Sequence, residues 1–314
     1  MHMMKIRVPM AGTCGAALLA AISGAACGET LVERGAYLVT TIAACGNCHT
    51  PRDAAGKAMS NMDLAGGFEF DDAPIGHVVT PNITPDSETG IGKWTEEQIV
   101  TALRNGVRPD GTVIGPPMPI RAYRELSDRD VAGIAAYLRS LKPVRHAAAR
   151  TSYIGPLPPG YGPPVTHVDE PPPTDKIAYG SYLAGPVGHC VLCHTPPGSG
   201  GPDMSRAYQG GRELPDFGKP GAATVSRNIT AGSEHGIGDW SDAQIKRAIT
   251  AGIRADGTKL ARTMPFDWYA KITPADLNAI VAYLRTLPQQ WSGSDWRWPG
   301  PTAACSLSPV TARC

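Results

Sequence analysis

Cys45-Gly46-Asn47-Cys48-His49 returns 145 positions later as Cys190-Val191-Leu192-Cys193-His194. Two thiols three residues apart, followed at once by a histidine, form the attachment pattern of c-type haem. The spacing has a physical basis. The thiols reach the two vinyl groups on neighbouring edges of one porphyrin, and the histidine then lies under the iron as a neutral imidazole ligand. With 8 Cys and 8 His in 314 residues, random placement yields about 0.005 copies of the pattern. A thioredoxin-like redox pair needs a βαβ context, which the sequence does not signal. A zinc site needs four ligands per module, and no second Cys or His pair follows either motif. The chain is therefore expected to bind two covalent haem c groups, through Cys45 and Cys48 and through Cys190 and Cys193. His49 and His194 are the expected axial ligands.

The motif belongs to a longer repeat. Asn82-Ile83-Thr84 returns as Asn228-Ile229-Thr230, and Gly90-Ile91-Gly92 with Trp94 as Gly236-Ile237-Gly238 with Trp240. Asp110-Gly111 returns as Asp256-Gly257, Met118-Pro119 as Met264-Pro265, and Ala136-Tyr137-Leu138-Arg139 as Ala282-Tyr283-Leu284-Arg285. The duplication also selects the sixth iron ligand. Met59, Met62, His77 and Met118 compete in the first copy, and Met204, His235 and Met264 in the second. Met118 and Met264 correspond, each before a proline in a Pro- or Gly-rich loop, whereas Met59, Met62 and Met204 align less well. His77 aligns with Ala223 and His235 with Thr89. A lone methionine is more often a core residue, but an equivalent Met-Pro after each haem motif is read as the distal ligand. His/Met ligation raises the reduction potential relative to two histidines. An iron filled in this way has no open place for a substrate, which points to outer-sphere electron transfer. Trp94/Trp240 and Tyr123/Tyr269 are read as donors to the haem propionates or the ligand loop. Asn82/Asn228 are read as holding loops near the distal side. Plain packing is the alternative for each.

Each copy carries three helical signals. The first covers residues 30–42 and 175–184. The second starts at Thr95 with Gln98 three residues on, a capping box, and stops at Gly106; its counterpart runs from Ser241 with Gln244 to Gly252. The third starts at Ser127 with Val131, Ile134, Ala135, Leu138 and Leu141 on one face. Its counterpart starts at Thr273-Pro274 with Leu277, Ile280, Val281, Leu284 and Leu287. Strands are hardly signalled, so the expected fold is all-α. The expected organisation is a first domain at 27–144, a proline-rich linker at 145–173, a second domain at 174–290 and a tail at 291–314. The linker, with Pro156, Pro158, Pro159 and Pro171-Pro172-Pro173, should be extended and semi-rigid.

The composition agrees with loops wrapped around a large group, with 36 Gly and 30 Pro. The net charge of +1 argues for no nucleic-acid partner. Residues 1–26 read as a secretory signal. Lys5 and Arg7 precede the short apolar run AALLAAI at 16–22 and the small residues Ser23-Gly24-Ala25-Ala26. That run is too short to span a bilayer. Cys27 follows small residues and raises lipidation as an alternative to ordinary cleavage. Export places the chain in the periplasm, where Cys305 and Cys314 can form a disulfide or remain two free thiols. Trp291, Trp296 and Trp298 make the tail a candidate docking segment, since Trp anchors interfaces; wrapping back on the second domain is the alternative.

The run Thr80-Pro81-Asn82-Ile83-Thr84-Pro85-Asp86, with Gly90-Ile91-Gly92, Trp94, Asp110-Gly111, Met118-Pro119 and Ala136-Tyr137-Leu138-Arg139, resembles class I cytochrome c modules. The similar modules are those in cytochrome subunits of bacterial periplasmic dehydrogenases for alcohols, gluconate, aldehydes and nicotinate. The resemblance covers about residues 30–143 and 174–288. It implies tandem class I domains whose ligands are Cys45, Cys48, His49 and Met118, then Cys190, Cys193, His194 and Met264. It implies electrons arriving from a catalytic flavin, quinone or molybdenum partner and leaving to quinone, an oxidase or another cytochrome. Many such subunits carry three haems and a membrane-attaching C-terminus, whereas two haem motifs stand here. Membrane association would then come through a complex or a lipidated Cys27. The expected function is a periplasmic diheme electron carrier or dehydrogenase subunit, itself non-catalytic. The alternative is a diheme redox enzyme such as a peroxidase or thiosulfate dehydrogenase.

Overall fold

The structure, a computed structural model, describes residues 28–288 apart from 73, 74, 200 and 220. The signal segment, Cys27, Cys305, Cys314 and the tail tryptophans lie outside the described residues.

In the first half, helices α1 (Leu31–Thr40), α2 (Cys45–His49), α3 (Glu96–Asn105), α4 (Ile120–Tyr123) and α5 (Asp128–Ser140) follow in order. The second half repeats them as α6 (Lys176–Tyr182), α7 (Cys190–Cys193), α8 (Asp242–Ala251), α9 (Phe266–Tyr269) and α10 (Pro274–Leu284). The local signals explain the boundaries. Thr30, Thr95 and Ser241 each close a capping box with the Glu or Gln three residues on, which satisfies two otherwise orphaned donors. Gly106 and Gly252 end α3 and α8 with φ of 67° and 65°.

The expected first helix ends two residues early in each half. α1 stops at Thr40, so that Ala44 can turn into Cys45 with φ 46°. α6 stops at Tyr182 and widens through 183–187, where Pro186 cannot donate. Gly188 N–H then reaches Leu183 O, five residues back, at 2.8 Å.

In each half the first and last helices cross at a point of close approach. A Cβ on Gly35 would lie 1.8 Å from Gly133 O, and one on Gly180 would lie 2.0 Å from Ala279 O. Glycine lets the two backbones touch. Around the crossings lie Leu38, Val39, Val131, Ile134 and Leu138, and in the second half Leu183, Val187, Ile280 and Leu284, all buried. Each such side chain contributes about 1.5–3 kcal/mol.

An all-helical expectation omits three small antiparallel sheets. β1 (Glu69–Asp72), β2 (Gly76–Val79) and β3 (Ser152–Tyr153) form one; β4 (Pro197–Gly198) with β5 (Gly201–Pro202) and β6 (Glu213–Pro215) with β7 (Ala223–Val225) form the others. Runs of two to four residues give no readable alternation, and β3 is supplied by the proline-rich segment itself.

That segment straps the first half. His146 N donates to Thr89 Oγ1 at 3.0 Å, and Tyr161 Oη donates to Ile114 O at 2.7 Å. Val165 N donates to Asn105 Oδ1 at 2.9 Å, and Val168 N to Asp128 Oδ1 at 3.1 Å.

The halves then meet through reciprocal contacts. Tyr37 on α1 donates to Asp276 on α10 at 2.5 Å and accepts from Thr273 N at 3.2 Å. Tyr182 on α6 donates to Asp130 on α5 at 2.7 Å and accepts from Ser127 N at 3.0 Å. These residues are repeat equivalents of one another, so the seam is a pseudo-twofold interface of the isologous kind.

Candidate haem sites

α2 and α7 present the two attachment motifs to one continuous cavity of about 1800 Å³. Single-ligand pockets occupy roughly 300–1,000 Å³, so this space suits two large groups side by side. Cys45, Cys48, His49 and Met118 line it, as do Cys190, Cys193, His194 and Met264. All eight residues singled out by sequence are thus brought to the same cavity. Of the rejected ligands, Met59, Met62, Met204 and His77 do not line it, and His235 stands at its rim with an exposed side chain.

The histidines are oriented by the loops that face them. His49 Nδ1 lies 2.9 Å from Pro81 O, and His194 Nδ1 lies 2.7 Å from Arg227 O. With Nδ1 donating to a carbonyl, the Nε2 lone pair is left for iron. Burial pushes both imidazoles below their usual pKa against that hydrogen bond, which keeps them neutral. Asn82 and Asn228 hold these loops. Their Oδ1 atoms accept from the Thr84 and Thr230 amides, each at 2.9 Å. They therefore act on the histidine side of the site and not, as expected, on the distal side. Gly66 N and Gly210 N bond to His49 O and His194 O, each at 2.7 Å.

Trp94 and Trp240 line the cavity. Their carbonyls accept from Arg139 and Arg285, which explains why arginine closes both copies of Ala-Tyr-Leu-Arg. Tyr123 and Tyr269 are buried and line the cavity too. Burial pushes both phenols well above their usual pKa, which keeps them neutral, and Tyr123 of the first half lies edge-on to His189, the residue before Cys190. Burial pushes the Cys45 and Cys190 thiols up to about 12 and the Cys48 thiol to about 11.

Several site residues were not legible in sequence. Asn47 Nδ2 donates to Thr263 O at 3.4 Å, tying the first attachment helix to the methionine loop of the second half. His189 packs edge-on to Tyr123 at 5.9 Å, and burial lowers its pKa to about 4. Arg52 and Arg212 bond to the carbonyls of Asn47 and Leu192, the equivalent third residues of the two motifs, at 2.8 and 3.0 Å. Tyr153, Leu157 and Tyr161 of the strap also line the cavity. None of these has a repeat partner or a motif to mark it.

Comparison with known proteins completes the assignment. The Cytochrome c family matches residues 32–142 and again residues 178–288. The chain belongs to the cytochrome c family. This cytochrome carries two covalently bound haem c groups, and the donor set fits them: two thiols, a neutral imidazole with a free Nε2, and a thioether in each half. It is 33% identical over 275 residues to the cytochrome c subunit of a quinone alcohol dehydrogenase from Gluconobacter oxydans, covering 83% of this chain and 55% of that one. It is 33% identical over 272 residues to the fructose dehydrogenase cytochrome subunit of Gluconobacter japonicus, covering 82% and 52%. A diheme cytochrome c-type protein of Cereibacter sphaeroides is 31% identical over 260 residues, covering 78% and 82%. The chain thus spans about half the length of the dehydrogenase subunits. No helix among the described residues is long and apolar enough to cross a membrane.

Proposed function

We propose that this cytochrome is a periplasmic electron carrier, or the carrier subunit of a dehydrogenase, passing single electrons from a catalytic partner towards the respiratory chain. Residues 27–144 and 174–290 are its two haem domains and 145–173 its linker. Cys45, Cys48, His49 and Met118 hold one haem, and Cys190, Cys193, His194 and Met264 the other. Residues 1–26 direct export. The observation that supports this reading is that both histidine–methionine pairs line one shared cavity; with each pair filling the two axial positions of its haem, neither iron would keep a place for substrate.

When bound, each haem supplies an iron that gains or loses one electron. The chain's part is to keep the ligands still. The Pro81 and Arg227 carbonyls fix the imidazoles. Pro119 and Pro265, which cap the short α4 and α9 helices, follow the methionines and stiffen the distal loops. Buried Tyr123 and Tyr269, which line the cavity, exclude water between the sites. Ligands that do not move keep reorganisation small. The names of the relatives favour a dehydrogenase as electron donor.

Optical and magnetic spectra of the purified protein test the reading. The expected result is two low-spin haems per chain, neither taking up carbon monoxide. Uptake at one haem of the native protein would replace the carrier by a diheme redox enzyme such as a peroxidase or thiosulfate dehydrogenase. Met118→Ala or Met264→Ala should each open one site to carbon monoxide. Co-purification with a dehydrogenase encoded nearby tests the partner.

A further inference from the structure

Two arginines flank the attachment helices, yet they come from unrelated places in the repeat. Arg52 follows His49 by three residues, and Arg212 follows His194 by eighteen. They nevertheless reach equivalent carbonyls, those of Asn47 and Leu192. Each places a permanent positive charge against its attachment helix, at the carbonyl of the second residue between the two cysteines.

Their surroundings differ. Arg212 Nη2 lies 3.2 Å from Asp72 Oδ2, a carboxylate only 4% exposed that reaches across the seam from β1. Arg52 has no carboxylate within ion-pair distance among the described residues. Asp267, a carboxylate whose field reaches it, is held by Arg262 at 2.5 Å. Arg52 is instead wedged between rings, 4.8 Å from Phe68 and 5.3 Å from Phe217 of the other half. Its Nη groups bond only to oxygens of Asn47 and Gly56, and its buried Nε has no partner. One arginine is neutralised and the other is not.

Reducing a haem removes one positive charge, so an uncompensated cation nearby favours the reduced form. A cation paired with a buried carboxylate contributes little at a distance. Axial ligation is the same in the two sites and sets no difference between them. We propose that the unpaired Arg52 holds the haem at Cys45/Cys48 at a higher reduction potential than the haem at Cys190/Cys193, where Asp72 cancels Arg212. Electrons then run downhill from the second domain to the first. Arg52 and Asp72 are positioning residues for charge and touch no reacting atom. The inference rests on the proposed His/Met ligation of both irons.

Spectroelectrochemical titration of the intact protein tests it, with each haem assigned by nuclear contacts from its methyl groups to residues of its own half. The native protein should show two waves, the higher belonging to the first haem. Arg52→Gln should lower that wave alone. The electron-sharing constant between the haems should fall on the order of tenfold, the effect of one charge at about 10 Å and an effective dielectric of about 20. Arg52→Lys should restore the separation if charge is the cause. Asp72→Asn should raise the lower wave alone. The inference is overturned if the higher wave belongs to the second haem, or if Arg52→Gln moves both waves equally or neither. Should Arg52→Gln fail to fold, Arg52→Lys and Asp72→Asn decide. Failure of the ligation reading is distinguishable, since it appears as high-spin or carbon-monoxide-reactive native protein before any variant is made.

Discussion

Asp130→Ala is the most demanding test of the seam between the halves. Asp130 is fully buried and sits between domains. It accepts from Arg34 Nε and Nη2 at 2.7 and 2.9 Å, and from Tyr182 Oη at 2.7 Å. Burial works against the charge on Arg34, but the hydrogen bond and field of Asp130 outweigh it and raise its pKa. Removing the carboxylate leaves the Arg34 guanidinium 5% exposed, with only Glu170 at 3.3 Å. Breaking one side of a buried pair costs about 3–5 kcal/mol. For a chain of this size each kcal/mol shifts the melting point by about 2–4 °C, so the expected fall is roughly 6–20 °C. The repeat supplies an internal control. Asp276 occupies the equivalent position but holds Tyr37 alone, because Tyr179 stands where a second arginine would be. Asp276→Ala should cost only about 1.5–3 kcal/mol. Thermal unfolding of the haem-loaded proteins, followed by circular dichroism, gives both values. Arg34→Met with Asp130→Leu should recover most of the loss, since an apolar replacement of a buried pair is close to neutral. An Asp130→Ala variant within about 1 kcal/mol of native, or one milder than Asp276→Ala, would refute the reasoning.

Gly66 has φ 72°, and a Cβ there would lie 2.4 Å from Asn82 N and Pro81 C. Gly66→Ala should cost at least about 2 kcal/mol and displace the carbonyl that orients His49. Haem content measured as the pyridine complex should fall from two per chain towards one, with the second site kept. The strap should respond to pH. A hydrogen bond to Asp128 raises the His167 pKa above 6.5. Burial works against the Asp128 carboxylate, but bonds from His167, Val168 N and Arg104 hold its pKa below 3.8. The contact is therefore complete between those limits, lost as pH rises through the raised His167 value, and lost again as pH falls through the lowered Asp128 value. Hydrogen exchange of the Val168 amide, corrected for intrinsic rate, should quicken above neutrality in the native protein and show no such step in His167→Gln. Thr95→Ala and Ser241→Ala each remove the hydroxyl of a capping box, and urea unfolding should show a loss of about 1 kcal/mol for each.

What was legible in the sequence is what depends on short range or on repetition. Attachment needs two cysteines and a histidine within five positions, so the motif is complete in one segment. The methionines lie far from it, but the duplication marks Met118 and Met264 as equivalent, and both line the cavity. Caps such as Thr95 with Gln98 show because their partners are three residues apart. The short strands did not show, since pairing with distant segments and not propensity makes them. The side of the haem on which Asn82 works also required the fold, because Pro81 O faces His49 only after the loop has closed.

By itself, then, the sequence determined two haem modules, their cysteines and histidines, and the helices that frame them. Only the tertiary structure decided how the modules meet. The reciprocal Tyr37–Asp276 and Tyr182–Asp130 bonds, the strap around the first half, and the pairing of Arg212 but not Arg52 with a carboxylate join residues 40 to 240 positions apart. Local periodicity carries no record of such pairs. They exist only once two packed surfaces are set against each other, and burial then makes each charge count.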